Sequence, residues 1–166
     1  MRRSALTILA CAAILLPAAA RGSGDGGLRG SPLLWATVDA CESSASGGAL
    51  VGLRASMPGT GNPNVQMYMI FRLQYRVASG RWAYLHGADS GLVDVGSAQF
   101  RTRQGGIDFH LAAGALSGRV VRGAVDFEWR RGVAAVSFAR TVTSAGHHPG
   151  AGASPPGFSV AHCTVS

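Results

Sequence analysis

The chain has 166 residues, enough for one substantial core, and carries 15 basic residues, all of them arginine, against 8 acids, for a formal net charge of +7. Two of those arginines, Arg2 and Arg3, fall in an N-terminal targeting pattern, and the other 13 are spread along the chain instead of clustered. Spread charge with no lysine and abundant Ala and Gly reads as GC-rich codon usage on a solvated surface, and excludes a nucleic-acid footprint.

Met1-Arg2-Arg3, the apolar stretch 5–17 and Ala18-Ala19-Ala20 form the n-region, h-region and small-residue cleavage site of a secretory signal peptide over 1–20. The apolar stretch is too short to cross a bilayer, so no membrane span is expected. Leu9-Ala10-Cys11 approximates a lipidation box. However, Leu9 stands where a small residue is usual and the apolar run continues past Cys11, so the cleaved, secreted reading is preferred over lipoprotein anchoring. Residues 21–32 then read as a flexible Gly-rich leader. That leaves 33–166 as a single domain.

Cleavage removes Cys11 and leaves Cys41 and Cys163. In an oxidising compartment such a pair reads as a disulfide, here closing 122 residues. From Leu34 onward the hydrophobic period is two, the mark of half-buried strands. The clearest rows are Met67, Met69, Phe71, Leu73, Tyr75 and Val77, with Tyr68, Ile70, Arg72, Gln74 and Arg76 opposite, and Val121, Val125, Phe127 and Trp129 with Arg122, Asp126, Glu128 and Arg130 opposite. These two strands, over 65–77 and 119–130, are expected side by side in one sheet with their opposite outer charges facing. Further strands are predicted over 34–41, 49–57, 81–86, 98–103, 107–111, 133–141 and 158–163, separated by turns that include Gly105-Gly106. About nine short strands and no sustained helical period make an all-β chain. An immunoglobulin- or fibronectin-III-like β-sandwich is the first expectation, and a jelly roll the alternative.

Phe71-Arg72-Leu73-Gln74-Tyr75-Arg76, Gly80-Arg81-Trp82 and the tail from Gly146-His147 through Pro156-Gly157-Phe158-Ser159 to Cys163 give the chain a resemblance to small exported proteins of GC-rich bacteria. The resemblance implies an extracellular immunoglobulin-type domain and supplies no catalytic residues.

The chemistry is sparse. Neither G-x-S-x-G nor H-E-x-x-H occurs, and Glu42 and Glu128 are the only glutamates, so no catalytic residue, metal ligand set or cofactor is assigned. Asp126 and Glu128 are read as partners of Arg72 and Arg76 across a sheet. His147 and His148, in the Gly/Pro-rich stretch 144–157, are read as solvated, although with His162 they leave metal binding open. Trp82 and Tyr84 alternate on one strand with His86 continuing the row; such a row is either one side of the core or a recognition surface. Trp35 and Trp129 are expected in the core. The expected function is that of an exported, non-catalytic binding or structural module, with a cell-surface glycan or protein as partner. The alternative is a small secreted hydrolase or carbohydrate-active protein using His110, His147 or His148 with Asp108.

Overall fold

The computed structural model describes residues 26–43, 47–148, 150 and 152–166. The signal peptide over 1–20, Cys11 and the leader up to residue 25 lie outside the described residues. One helical turn, α1 (Gly26–Arg29), precedes nine strands: β1 (Trp35–Ser43), β2 (Ala49–Pro58), β3 (Gln66–Arg76), β4 (Trp82–Asp89), β5 (Val93–Ser97), β6 (Thr102–Leu111), β7 (Val120–Arg131), β8 (Ala134–Val142) and β9 (Cys163–Thr164). Within the stretch read as leader, α1 is therefore structured, and its Leu28 packs against the core.

Two antiparallel sheets face each other. The first orders its strands β1-β2-β6; the second orders them β4-β3-β7-β8, with β5 also on β3 and β9 also on β7. Strand succession and sheet membership are those of an immunoglobulin-like sandwich, whose fourth strand has joined the second sheet. The period-two rows decide which faces meet. Val51, Leu53 and Met57 from the first sheet pack against Met67, Met69, Phe71, Leu73, Val121, Val125, Phe127 and Trp129 from the second, all essentially inaccessible to solvent. Trp129 satisfies its indole N–H inside this core by donating to the Pro58 carbonyl at 2.9 Å.

The predicted neighbours β3 and β7 are paired from Gln66 opposite Arg130 to Tyr75 opposite Val121. Their charges meet in part. Arg72 bonds Asp126 diagonally at 2.6 Å, whereas Arg76 donates to the Gly80 carbonyl and Glu128 takes Arg130. Arg76 and Glu128 sit at opposite ends of the ladder and never face.

The stretch 98–111 departs from expectation. Val93–Ser97 is the strand, 98–100 is a connection, and Thr102–Leu111 runs unbroken through Gly105-Gly106. The glycine pair is a site of close approach, not a turn. A Cβ at Gly105 would stand 2.8 Å from Val95 Cγ1, and one at Gly106 would stand 3.0 Å from the Leu53 carbonyl oxygen.

The tail couples the two sheets. It covers the edge of β1, with reciprocal Val38 and Val160 hydrogen bonds of 3.0 Å and Ser154 N–H on the Asp39 carbonyl at 2.8 Å, then crosses to pair Cys163 with Val121 of β7. The predicted strand over 158–163 is thus split between two sheets. The Cys41–Cys163 disulfide, S–S 1.99 Å and Cα–Cα 6.4 Å, ties β1 to β9 at that crossing.

Candidate functional site

Trp82 and Tyr84 leave β4 on the outer face of the six-stranded sheet and His86 is exposed just beyond them, while Leu85 packs inward. The alternative that this row forms one side of the core does not hold. The reason is in the ladder: Tyr84 faces Gln74 and Trp82 faces Arg76, so the row continues the polar side of β3.

Around that row the face is built from arginines laid on aromatic rings. Arg122 lies 4.2 Å over Trp82 and donates to Gln74 Oε1 at 2.8 Å, Arg130 lies 5.4 Å over Tyr68, and Arg140 lies 5.9 Å from the Phe138 ring. His162 adds a tilted contact to Trp82 at 6.4 Å. Among the described residues, Tyr84 is the aromatic of this outer row that no arginine covers, and it is 48% exposed.

Beside Tyr84 lies a charge cluster. Asp126 accepts from Arg72 Nη1 at 2.6 Å and from Arg140 Nη2 at 2.8 Å and also Arg140 Nε, and Arg72 Nε reaches Asp89. Although it points away from the core, the Asp126 side chain is only 6% exposed, because the two guanidiniums cover it. Burial alone would raise its pKa, but the hydrogen bonds from Arg140 and Arg72 outweigh that and hold it below the ordinary carboxylate value.

The β4 strand bulges between Tyr84 and Asp89, where four residues pass opposite a single step of β3 and Gly87 takes φ +78°. This opens a groove of about 350 Å³ lined by Arg72, Tyr84, Leu85, Ala88, Asp89 and Arg140. The groove offers one bare aromatic face and fixed donors and acceptors around its rim.

On the outer face of the three-stranded sheet similar residue types meet with another result. The described residues of the segment 144–157, which are 144–148, 150 and 152–157, form a strap whose His148 and Gly150 lie against Arg54 of β2. Arg54 donates to Gln104 Oε1 at 3.2 Å and to the His148 carbonyl, pairs with Asp39 at 3.4 Å, and lies 5.0 Å over Trp35. Trp35 also carries His147, stacked at 4.3 Å with an interplanar angle of 8°. His147 Nε2 is 2.8 Å from Ser144 Oγ, and burial, with Arg54 nearby, pushes the imidazole below its ordinary value.

Trp35 is therefore not a core residue, a correction to the expectation, while Trp129 is. His147 is half-buried in a stack and His148 offers its carbonyl to Arg54, so the two do not converge on one point. Among the described residues, no three metal-ligating side chains gather. Asp39 and Asp108 lean over Gly52 from the flanking strands, each with Oδ1 under 3 Å from where a Cβ would stand (2.8 and 2.9 Å). Burial raises the Asp39 carboxyl despite its Arg54 partner. His110 lies elsewhere, in a pocket of about 430 Å³ that it lines together with Glu42 and Ser43.

No family model matches the chain, and no curated protein matches it. Among solved structures, one similar chain is a putative beta-galactosidase from Bacteroides fragilis, at 10% identity and TM-score 0.35. The match covers 71% of this chain and 17% of that one, so this chain spans a small part of the other's length. A likeness at that level carries no functional argument.

Proposed function

We propose that this is an exported, non-catalytic binding module that recognises a glycan through the outer face of its six-stranded sheet. The observation that carries the reading is the Tyr84 ring. On this face Trp82, Tyr68 and Phe138 are each associated with an arginine, whereas Tyr84 is left bare at the mouth of a groove rimmed by Arg72, Asp89 and Arg140. An exposed aromatic plane suits the apolar face of a sugar ring. The neighbouring guanidiniums and carboxylate, already balanced against each other, suit its hydroxyls without demanding a charged ligand. Export is supported by the disulfide, which belongs to an oxidising compartment, and by the N-terminal targeting pattern. No helix among the described residues is long and apolar enough to cross a membrane.

A glycan array probed with the purified protein, with a pull-down from the native cell wall beside it, tests the reading. Binding to a neutral oligosaccharide that Tyr84→Ala abolishes is the expected result. Capture of a protein partner alone, or glycan binding indifferent to Tyr84, would move the recognition surface elsewhere.

The hydrolase alternative has two observations of its own, His110 sharing a pocket with Glu42 and Ser43, and the Asp39 and Asp108 carboxylates converging over Gly52. Asp39 is engaged by Arg54 and the strap lies beside it, so the pair is read as structural. Turnover of any ester, peptide or glycan that Asp108→Asn abolishes would reverse that assignment.

A further inference from the structure

The edges of the two sheets are treated unequally. The tail covers β1, the β6 edge carries Arg103, Asp108 and the glycine pair, and the β4–β5 edge is broken by a bulge and marked by Asp89 and Asp94. Charges, bulges and covering segments of this kind are how proteins keep sheet edges from pairing. β8 is different. It is hydrogen-bonded to β7 on one side, and among the described residues no strand pairs its other side; α1 touches β8 without adding a strand to it. Its one charged residue, Arg140, is engaged by Asp126, and Val136, Phe138 and Val142 are exposed along it. The buried Ser137 hydroxyl has no hydrogen-bond partner.

We propose that β8 pairs antiparallel with β8 of a second copy of this chain, about a two-fold axis at Ala139. The register follows from complementarity. With Ala139 on the axis, Phe138 faces Arg140 of the second copy, Ser137 faces Thr141 of the second copy, and Val136 faces Val142 of the second copy. The aromatic–arginine contact repeats one already made within the chain, where Arg140 stands 5.9 Å from the Phe138 ring.

Backbone geometry agrees. Thr143 N–H donates to the Gly123 carbonyl at 3.0 Å, and alternation back from there turns the backbone groups of Thr141, Ala139 and Ser137 toward β7 and those of Arg140 and Phe138 outward. Phe138 and Arg140 would then form the hydrogen-bonded pairs. Ser137 and Thr141 would fall in a non-hydrogen-bonded pair, where side chains approach most closely and hydroxyls bond across strands. A register centred on Arg140 would set like charges opposite each other. One centred nearer the hairpin carries its middle pairs through the bulge at Val136, where Ser137 faces Trp129 but Ala135 already faces Arg130, whereas with Ala139 on the axis the ladder reaches that bulge only at its two ends, in the Val136–Val142 pairs.

A two-fold relating antiparallel strands of one sheet stands perpendicular to it, so the two outer faces point the same way. The dimer would display both Tyr84 grooves on one side. That last consequence rests on the glycan reading; the pairing does not.

Sedimentation velocity of the purified protein from about 1 to 100 µM tests the pairing. The expected result is a concentration-dependent dimer. Val136→Lys combined with Val142→Lys places like charges opposite each other twice and should weaken association about tenfold or more, whereas Val136→Lys combined with Val142→Glu places opposite charges there and should preserve it. All three side chains introduced are at exposed positions, and circular dichroism melting confirms the fold. A wild type that stays monomeric up to about 100 µM, or two double variants that behave alike, overturns the proposal.

Discussion

The outer faces of the two sheets use the same vocabulary of arginine, aspartate and aromatic rings to opposite ends. On the three-stranded sheet, Arg54 is bound from the plane by Asp39 and Gln104 and from above by the His148 carbonyl, so the strap is pinned and Trp35 is stacked under His147. On the six-stranded sheet, Arg72, Arg140 and Arg122 find their partners sideways, in Asp126, Asp89 and Gln74, and Tyr84 is left exposed. What separates a closed face from an open one is whether a chain segment supplies the last acceptor. The disulfide decides where that segment can go, since it anchors the tail to β1 at the point where the tail changes sheets.

The largest expected effect therefore comes from cutting that anchor. Replacing Cys41 and Cys163 together by Ala should lower the free energy of unfolding by about 5 kcal/mol, the chain-entropy value for so long a loop, read as a fall in the urea midpoint. If the closed face owes its closure to the anchor, hydrogen exchange in the described part of the strap should also quicken. A double variant with the wild-type midpoint would show that the bridge merely decorates a crossing already fixed by the Val38–Val160 pairing.

Arg54→Met is the next test. It removes the last acceptor's donor and leaves Asp39 buried without its cation, which should cost about 3 kcal/mol, as breaking a buried pair does. The loss should be local in exchange experiments, with the strap opening while β3 and β7 stay protected. Protection falling equally on both sheets would mean that Arg54 supports the core as a whole and that the contrast between the faces is not a contrast in mechanism.

Which parts of this contrast the sequence announces is itself instructive. The core rows of β3 and β7 are legible because six or so alternating residues leave little choice of face, and their adjacency follows because both rows need the same partner. The Cys41–Cys163 pair is legible by elimination. Gly105-Gly106 misleads, since a glycine pair signals a turn and a close approach equally well, and only the position of Val95 and Leu53 distinguishes them. Trp35 misleads for a related reason: large apolar side chains default to the core, yet this one is buried by a strap whose His147 lies more than a hundred residues away. The openness of Tyr84 could not be read at all. It depends on which ring each arginine happens to cover, and the spacing of arginines along a strand is the same whether or not they do.

On the open face a smaller stability effect is expected together with a functional one. Tyr84→Ala removes an exposed ring with no cation over it and should change stability by no more than about 0.5 kcal/mol. Glycan affinity should nonetheless fall about tenfold or more, as loss of a central aromatic anchor does. Arg122→Ala is the informative control, because it uncovers Trp82 instead. If uncovering that ring adds affinity, availability of a bare aromatic plane is what this face sells to its ligand; a variant that binds no better would tie recognition to the groove beside Tyr84 and not to aromatic exposure.

The smallest effect expected is a pH dependence confined to the closed face. The imidazole of His147 is held below its ordinary value of 6.5 by burial and by Arg54. In the unfolded chain it takes its proton at the ordinary value, and in the folded chain only at lower pH. The unfolded state thus binds more protons in the window between, and stability must fall as pH drops below 6.5 and continue to fall until the folded-state value is passed. Arg54 is the charged group that acts on the ring, so a proton on His147 sets a second cation against the one that pins the strap. Thermal melts at pH 7.5 and 5.5 should show a drop that His147→Phe, which keeps a ring on Trp35 but cannot titrate, makes smaller. Equal drops in the two proteins would place the acid sensitivity in other groups and leave the stack as packing alone.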